Sequence, residues 1–291
     1  MKVLATRRLP GEAWDELEDV EIGALDVSRP DVEALVVPNE LVDGNVLGRF
    51  PRLRLVANYG VGYDRIDVGA CRAHGVAVTN TPGVLDAATA DLAFALILAV
   101  RRCLVAGDRY VRAGDWNAHW SAATMLGRDV TGATLGIVGL GRIGSAVARR
   151  AAGFEMRVRS VRRTDGDLDE LLRECDIVTV HVPLTEETTG LLSRERLALM
   201  PDGATLVNTA RGPVVDEAAL VDELVSGRIS AGLDVFAHEP DVPAALYDLP
   251  NVVLTPHLGS ATVETRAAMT RIVVDNLLAA TRGEEPPNRV A

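Results

Sequence analysis

Apolar positions in the middle of the chain fall into short runs separated by helix-capable stretches, a spacing that predicts a parallel α/β sheet. Thr134–Gly139 is one such run, followed by a helical stretch over Arg142–Ala152. Met156–Val161 reads as a second strand, Leu168–Arg173 as a short helix, and Ile177–Val182, β-branched and closed by Pro183, as a third strand. Thr205–Asn208 and Ala231–Val235 repeat the form around an amphipathic helix over Asp216–Val225, and Asn251–Thr255 ends the series. Six short strands with crossover helices fit one doubly wound domain.

The first ~95 residues repeat this alternation on a smaller scale. Val3–Thr6, Ala34–Val37, Leu53–Ala57 and Val76–Thr79 are the expected strands. Asp86–Val111 reads as one long helix bridging two domains, and Thr262–Thr281 as another, ending at Gly283 before a Pro286-Pro287 tail. The chain is therefore expected to leave a first domain, build a second and return. Residues 1–94 plus 264–291 form the smaller, flavodoxin-like domain, and 95–263 the larger, Rossmann-type domain. The fold class is α/β, two doubly wound parallel-sheet domains.

Composition narrows the chemistry. The 291 residues are 48% hydrophobic and 24% charged, as in soluble globular proteins. The longest apolar run within Asp91–Arg101 is nine residues, short of the ~20 a membrane span needs. Arg7-Arg8 precedes any leader-like apolar core. Cys71, Cys103 and Cys175 are odd in number and widely spaced, as expected of a reducing cytoplasm. All but Lys2 of the 30 basic residues are arginine, which excludes a Walker A loop and Schiff-base catalysis. A net charge of −11 argues against nonspecific nucleic-acid binding. The residues suggest no metal site, and with five histidines the search for a neutral-pH acid or base is short.

Gly139-Leu-Gly-Arg-Ile-Gly144 lies between a predicted strand and a predicted helix. Gly139 suits a tight turn, Gly141 lets the backbone approach a pyrophosphate, and Gly144 allows close helix–strand packing. The helix start, with Arg142 and Ile143, offers free amides to phosphates. A carboxylate about 20 residues on would accept a bond from an adenine-ribose hydroxyl. Here Arg162 and Arg163 occupy that place, and guanidiniums suit a 2′-phosphate. NADP(H) is the expected cofactor; NAD(H) is the alternative if Asp165 reaches the ribose.

Beyond this turn, polar residues end the later strands, where ligands bind in open α/β sheets. They are Arg211 in Asn208-Thr-Ala-Arg-Gly-Pro213, Asp234 in Gly232-Leu-Asp-Val-Phe236, Glu239 in Ala237-His-Glu-Pro240 and His257 in Thr255-Pro-His-Leu-Gly-Ser260. In order and spacing the chain resembles the D-specific 2-hydroxyacid dehydrogenases over nearly its whole length. Tyr59-Gly-Val-Gly-Tyr-Asp64 and Asn80-Thr-Pro-Gly-Val-Leu-Asp86 share the likeness. The subgroup it resembles most is the glyoxylate/hydroxypyruvate reductases.

Reducing a 2-keto acid needs a hydride at C2 and a proton on the ketone oxygen. His257 is the best proton donor, Glu239 within reach would orient it, and Arg211 can bind the carboxylate or polarise the carbonyl. The resemblance implies that these three form the catalytic set. It implies that Asp234 serves the nicotinamide amide and orders the site, and that Val61 and Gly62 hold the substrate carboxylate through their amides. His181, Pro183, Thr209 and Gly259 complete the expected cofactor-binding set. His74 and His238 are expected at the surface. Trp116, His119 and Trp120 follow the bridging helix; the resemblance implies an arm packed across a homodimer, and packing within one subunit is the alternative.

The expected activity is NADPH-dependent reduction of small 2-keto acids to D-2-hydroxy acids. The nearest alternative is an NAD-linked D-2-hydroxyacid or D-3-phosphoglycerate dehydrogenase, although no regulatory domain follows the last helix. A dinucleotide-sensing corepressor is the alternative of another class.

Overall fold

Parallel strands buried on both faces need apolar side chains at successive positions, and the chain supplies such runs twice. This computed structural model describes residues 1–117 and 121–290, and the chain divides into two units, Met1–Leu85 with Ser260–Ala291, and Asp86–Gly259.

In the first unit, β1 (Val3–Ala5), β2 (Val20–Ile22), β3 (Ala34–Val37), β4 (Leu55–Asn58) and β5 (Ala77–Thr79) form a parallel sheet ordered β2-β1-β3-β4-β5. Every residue of β3 and β4 is buried, with Ala34 opposite Leu55. β2 is an addition to the strands expected from sequence. Val20-Glu-Ile22 is a three-residue edge strand, mostly exposed, so no apolar run announces it. Helices α1 (Gly44–Leu47) and α2 (Val68–Ala73) begin on Asp43 and Asp67, whose carboxylates accept from the amides of Val46 and Ala70. Leu35, Phe50, Val56 and Val78 lie in this unit's core.

The second unit opens with α3 (Asp86–Arg101) and α4 (Leu104–Arg112). These replace the single long helix expected over Asp86–Val111. The physical cause is at Arg101. Its carbonyl accepts from the Arg128 amide at 2.7 Å, and its buried guanidinium donates to the Asp129 and Asp176 carbonyls. Cys103 then turns left-handed at φ 51°, and the helical hydrogen-bond ladder ends. Apolar periodicity runs through this break and could not mark it.

Alternation follows: β6 (Thr134–Val138), α5 (Arg142–Ala151), β7 (Arg157–Val161), α6 (Leu168–Glu174), β8 (Ile177–Val180), α7 (Arg194–Leu197), β9 (Thr205–Asn208), α8 (Glu217–Val225), β10 (Ser230–Leu233) and β11 (Val252–Leu254). The six strands are parallel in the order β11-β10-β9-β8-β6-β7. The direction of winding therefore reverses between β6 and β8, and such a switch point is where open α/β sheets bind ligands. One face of the sheet packs Ala93, Phe94 and Ile97 of α3 with Leu135 and Ile137; the other packs Leu171, Leu172, Val178 and Leu206.

The chain ends in the first unit with α9 (Val263–Thr281), capped by Thr262. Tyr59 Oη donates to the Arg266 carbonyl at 2.8 Å and Thr270 Oγ1 to that of Pro10 at 2.6 Å, tying α9 to the N-terminal part of its unit. Cys71, Cys103 and Cys175 are free thiols. Among the described residues no helix is long and apolar enough to cross a membrane.

Candidate active site

The three glycines after β6 each have a different structural reason. Gly139 has φ 98°, and a side chain there would press on the His181 carbonyl at 2.7 Å. At Gly144 a β-carbon would overlap the Gly139 carbonyl, so α5 can lie against β6 only without one. Gly141 is the reverse case: among the described residues nothing beyond its chain neighbours lies within 4 Å of where its β-carbon would be. α5 starts at Gly141 without a side-chain cap, and among the described residues the amides of Arg142, Ile143 and Gly144 donate to no protein acceptor. An open cradle beside uncapped helix amides fits a pyrophosphate in both shape and charge.

At the end of β7, Arg162 and Asp165 exchange backbone hydrogen bonds of 2.8 and 3.2 Å, folding Arg163-Thr164 into a tight turn. Both arginines are exposed; Arg163 reaches Glu187 at 3.7 Å, and Arg162 has no ion pair among the described residues. After β8, His181 Nε2 lies 2.9 Å from Thr179 Oγ1, and burial pushes its pKa down to about 4. The ring is thus neutral at ordinary pH. Pro183 is exposed on the following loop.

Loops after β9, β10 and β11 carry the polar residues. Buried Asn208 braces the first of them, donating to the Arg211 carbonyl at 2.9 Å and accepting from the Ala210 amide at 3.0 Å. Thr209 beside it has a buried hydroxyl with no hydrogen-bond partner among the described residues, an orphan suited to a bound polar group. Gly212 packs directly on the Phe236–Ala237 peptide, where a β-carbon would collide. The Ala237 amide donates to Glu217 Oε1 at 2.8 Å and the Phe236 amide to Glu239 Oε1 at 3.1 Å.

Asp234 is completely buried. One oxygen accepts from Thr255 Oγ1 at 2.6 Å and the Leu258 amide at 2.7 Å; the other accepts from the Gly259 amide at 2.9 Å. Burial raises its pKa against the opposing pull of these bonds and of His257. Asp234 thus shapes the loop in which His257 sits with left-handed backbone, φ 55°. His257 Nδ1 then meets Glu239 Oε2 at 2.8 Å. Burial acts to raise the Glu239 pKa, but the hydrogen bond and charge of His257, the Phe236 amide and the Arg211 charge together lower it. Glu239, His257 and Arg211 are therefore gathered at the carboxyl end of one sheet. Nδ1 being engaged by Glu239, Nε2 is the other ring nitrogen of His257.

Val61 and Gly62 follow β4 in the first unit, half-buried. His74 and His238 are exposed, as is Trp116 at 65%, whereas His119 and Trp120 lie outside the described residues. The sequence reading assigned no role to Asn208, Gly212 or Glu217. A buried amide closing a parallel strand was the available signal for Asn208; Gly212 and Glu217 act through contacts between distant loops and left none.

Comparison with known proteins accords with this geometry. The profile described as D-isomer specific 2-hydroxyacid dehydrogenase, NAD binding domain, matches residues 94–259. A glyoxylate reductase of Pyrococcus furiosus is 47% identical over 318 residues, spanning 99% of this chain and 95% of that one. A crystal structure of a Thermus thermophilus protein is 47% identical with a TM-score of 0.93, covering 100% of both chains. An NADPH-dependent glyoxylate/hydroxypyruvate reductase from Sinorhizobium meliloti, in complex with NADP and malonate, is 36% identical with a TM-score of 0.89, over 100% of this chain and 96% of that one.

Proposed function

The chain belongs to the D-isomer specific 2-hydroxyacid dehydrogenase family and is an oxidoreductase; from that premise we propose that it reduces small 2-keto acids, glyoxylate and hydroxypyruvate first, to D-2-hydroxy acids with NADPH. The observation that carries the reading is the 2.8 Å contact between His257 Nδ1 and Glu239 Oε2, with Arg211 charge at the same carboxylate.

When bound, the reduced dinucleotide supplies the hydride that reaches C2. Gly141 and the first amides of α5 hold its pyrophosphate, and Arg162 and Arg163 receive the 2′-phosphate. Thr209, His181, Pro183, Asp234 and Gly259 line the nicotinamide side. Arg211 binds the substrate carboxylate and polarises the ketone through fixed charged donors. His257 gives a proton from Nε2 to the ketone oxygen, while Glu239 on Nδ1 fixes the ring. In the first unit, the Val61 and Gly62 amides take the carboxylate.

The S. meliloti relative, described as NADPH-dependent, supports the cofactor assignment alongside the arginine turn. The homodimer reading is supported by α4, which buries none of its residues, and by Leu104 and Leu126, exposed at 62% and 74%. Light scattering tests it, with twice the monomer mass expected.

A panel of glyoxylate, hydroxypyruvate, pyruvate and phenylpyruvate, each assayed with NADPH and NADH, tests the reaction. Glyoxylate and hydroxypyruvate with NADPH should give the highest kcat/KM. A clear NADH preference defeats the cofactor assignment, and no turnover with either cofactor defeats the reaction, leaving a dinucleotide sensor. His257→Gln should lower turnover about 10²–10⁴-fold with cofactor affinity retained; unchanged turnover removes the acid–base role.

A further inference from the structure

Across a trans peptide, the carbonyl of one residue and the amide of the next point in opposite directions, so whatever holds the carbonyl also aims the amide. In the loop after β4 three consecutive carbonyls are held. The Asn58 side-chain nitrogen donates to the Gly60 oxygen at 2.9 Å and to the Gly62 oxygen at 3.0 Å. The Asn80 side-chain nitrogen donates to the Val61 oxygen between them, at 2.9 Å. The Thr81 amide adds a second bond to the Gly60 oxygen at 3.0 Å.

The amides of Val61, Gly62 and Tyr63 consequently face away from the two asparagines. Among the described residues none of these three donates to a protein acceptor. Successive free amides on a short loop make a concave, positively polarised site for an anion. Both asparagines are buried, at 5% and 8% exposure, so water does not substitute for them.

We propose that Asn58 and Asn80 are positioning residues that hold open a three-amide seat for the substrate carboxylate, the Tyr63 amide joining those of Val61 and Gly62. The inference rests on the reading of this loop as substrate-binding, and extends it. The residue type matters. Asn58 spends both side-chain N–H groups on carbonyls two and four residues ahead, which a carboxylate cannot do. Without the Asn80 bond the Val61–Gly62 peptide is free to rotate, and a half-turn presents an oxygen to the anion in place of an N–H. Attraction becomes repulsion. The loss falls on substrate binding, in ground state and transition state alike, so KM changes and kcat does not.

Oxamate, an unreactive keto-acid analogue, is titrated into protein saturated with whichever reduced dinucleotide the wild type binds, with glyoxylate kinetics in parallel. Asn58→Asp keeps the shape and loses both donors; Asn80→Ala removes only the bond to Val61. Each should weaken oxamate binding and raise the glyoxylate KM about tenfold or more, the scale of lost hydrogen bonding to a charged ligand. Over the same comparison kcat should stay within about threefold, and the cofactor dissociation constant should hold. If Asn58→Asp does not fold by circular dichroism, Asn80→Ala, with its smaller change, carries the test. A folded variant with unchanged oxamate affinity and KM overturns the proposal, as does a parallel loss of cofactor affinity. Wild-type protein that binds no oxamate also overturns it. Wild-type protein that binds oxamate in a variant-sensitive way but reduces no keto acid upholds the seat and sinks the proposed reaction instead.

Discussion

Gly212 lies against Phe236 so closely that a β-carbon would overlap the Phe236 carbonyl. The loops after β9 and β10 therefore meet here backbone to backbone, and this contact joins Arg211, one residue before Gly212, to Glu239, three residues after Phe236. Gly212→Ala should separate them. Overpacking of this kind costs about 1–3 kcal/mol of stability, and a displacement of about 1 Å at reacting groups costs about 10²-fold in rate. Thermal melting and steady-state kinetics on the variant measure both; wild-type kcat/KM would show that the contact does not position the site.

Gly141 and Gly144 should respond oppositely to the same substitution. Gly144→Ala drives a methyl group into the Gly139 carbonyl and should lower the melting temperature of the cofactor-free protein. Gly141→Ala fills open space at φ −83° and should leave that temperature unchanged. With cofactor the order reverses in kind: the Gly141 methyl stands in the proposed pyrophosphate cradle and should weaken dinucleotide binding about tenfold or more. Melting with and without cofactor separates the two effects.

Glu239 anchors the ring of the proposed acid. Its pKa lies below the ordinary 4.5, so its own protonation limits activity only at pH values under that figure. Above it the carboxylate stands charged against His257 Nδ1 at 2.8 Å and holds the ring. Glu239→Gln removes that charge while keeping a hydrogen-bonding group. Keto-acid turnover should then fall about tenfold or more, because the ring loses its anchoring carboxylate, with cofactor affinity retained. Steady-state turnover at the wild-type rate would show that the carboxylate does not position the ring.

His181 predicts a pH dependence of stability rather than of rate. Burial lowers its pKa from 6.5 to about 4. Between these values the unfolded chain binds a proton that the folded chain does not, so stability rises with pH. The contribution is whole above pH 6.5 and is lost as pH falls through about 4. Melting temperatures measured across this window should fall less steeply for His181→Gln than for wild type.

Much of this protein is written in local pattern. The apolar runs that became β3, β4, β6, β8 and β9 needed no tertiary information, because a strand buried on both faces requires such residues wherever it lies in the sheet. The same holds for Gly139-x-Gly-x-x-Gly144, where one peptide turn and one helix start create the demand for glycine. Polar residues at strand ends were legible as a group for a related reason: parallel winding delivers every strand's carboxyl end to one edge.

Contacts between loops were decided elsewhere. Glu239 lies 18 residues before His257, and nothing in that interval specifies 2.8 Å between them; β10 beside β11, Asp234 gripping the amides of Leu258 and Gly259, and left-handed backbone at His257 do so together. The break at Cys103 arises because the Arg128 amide captures the Arg101 carbonyl, a competitor 27 residues away that helical periodicity cannot register. Hydrophobic burial is nearly non-directional and can be read residue by residue. Hydrogen bonds are directional and pairwise, so Asn58, Asn80 and Asn208 acquired their roles only when folding placed particular carbonyls and amides within their reach.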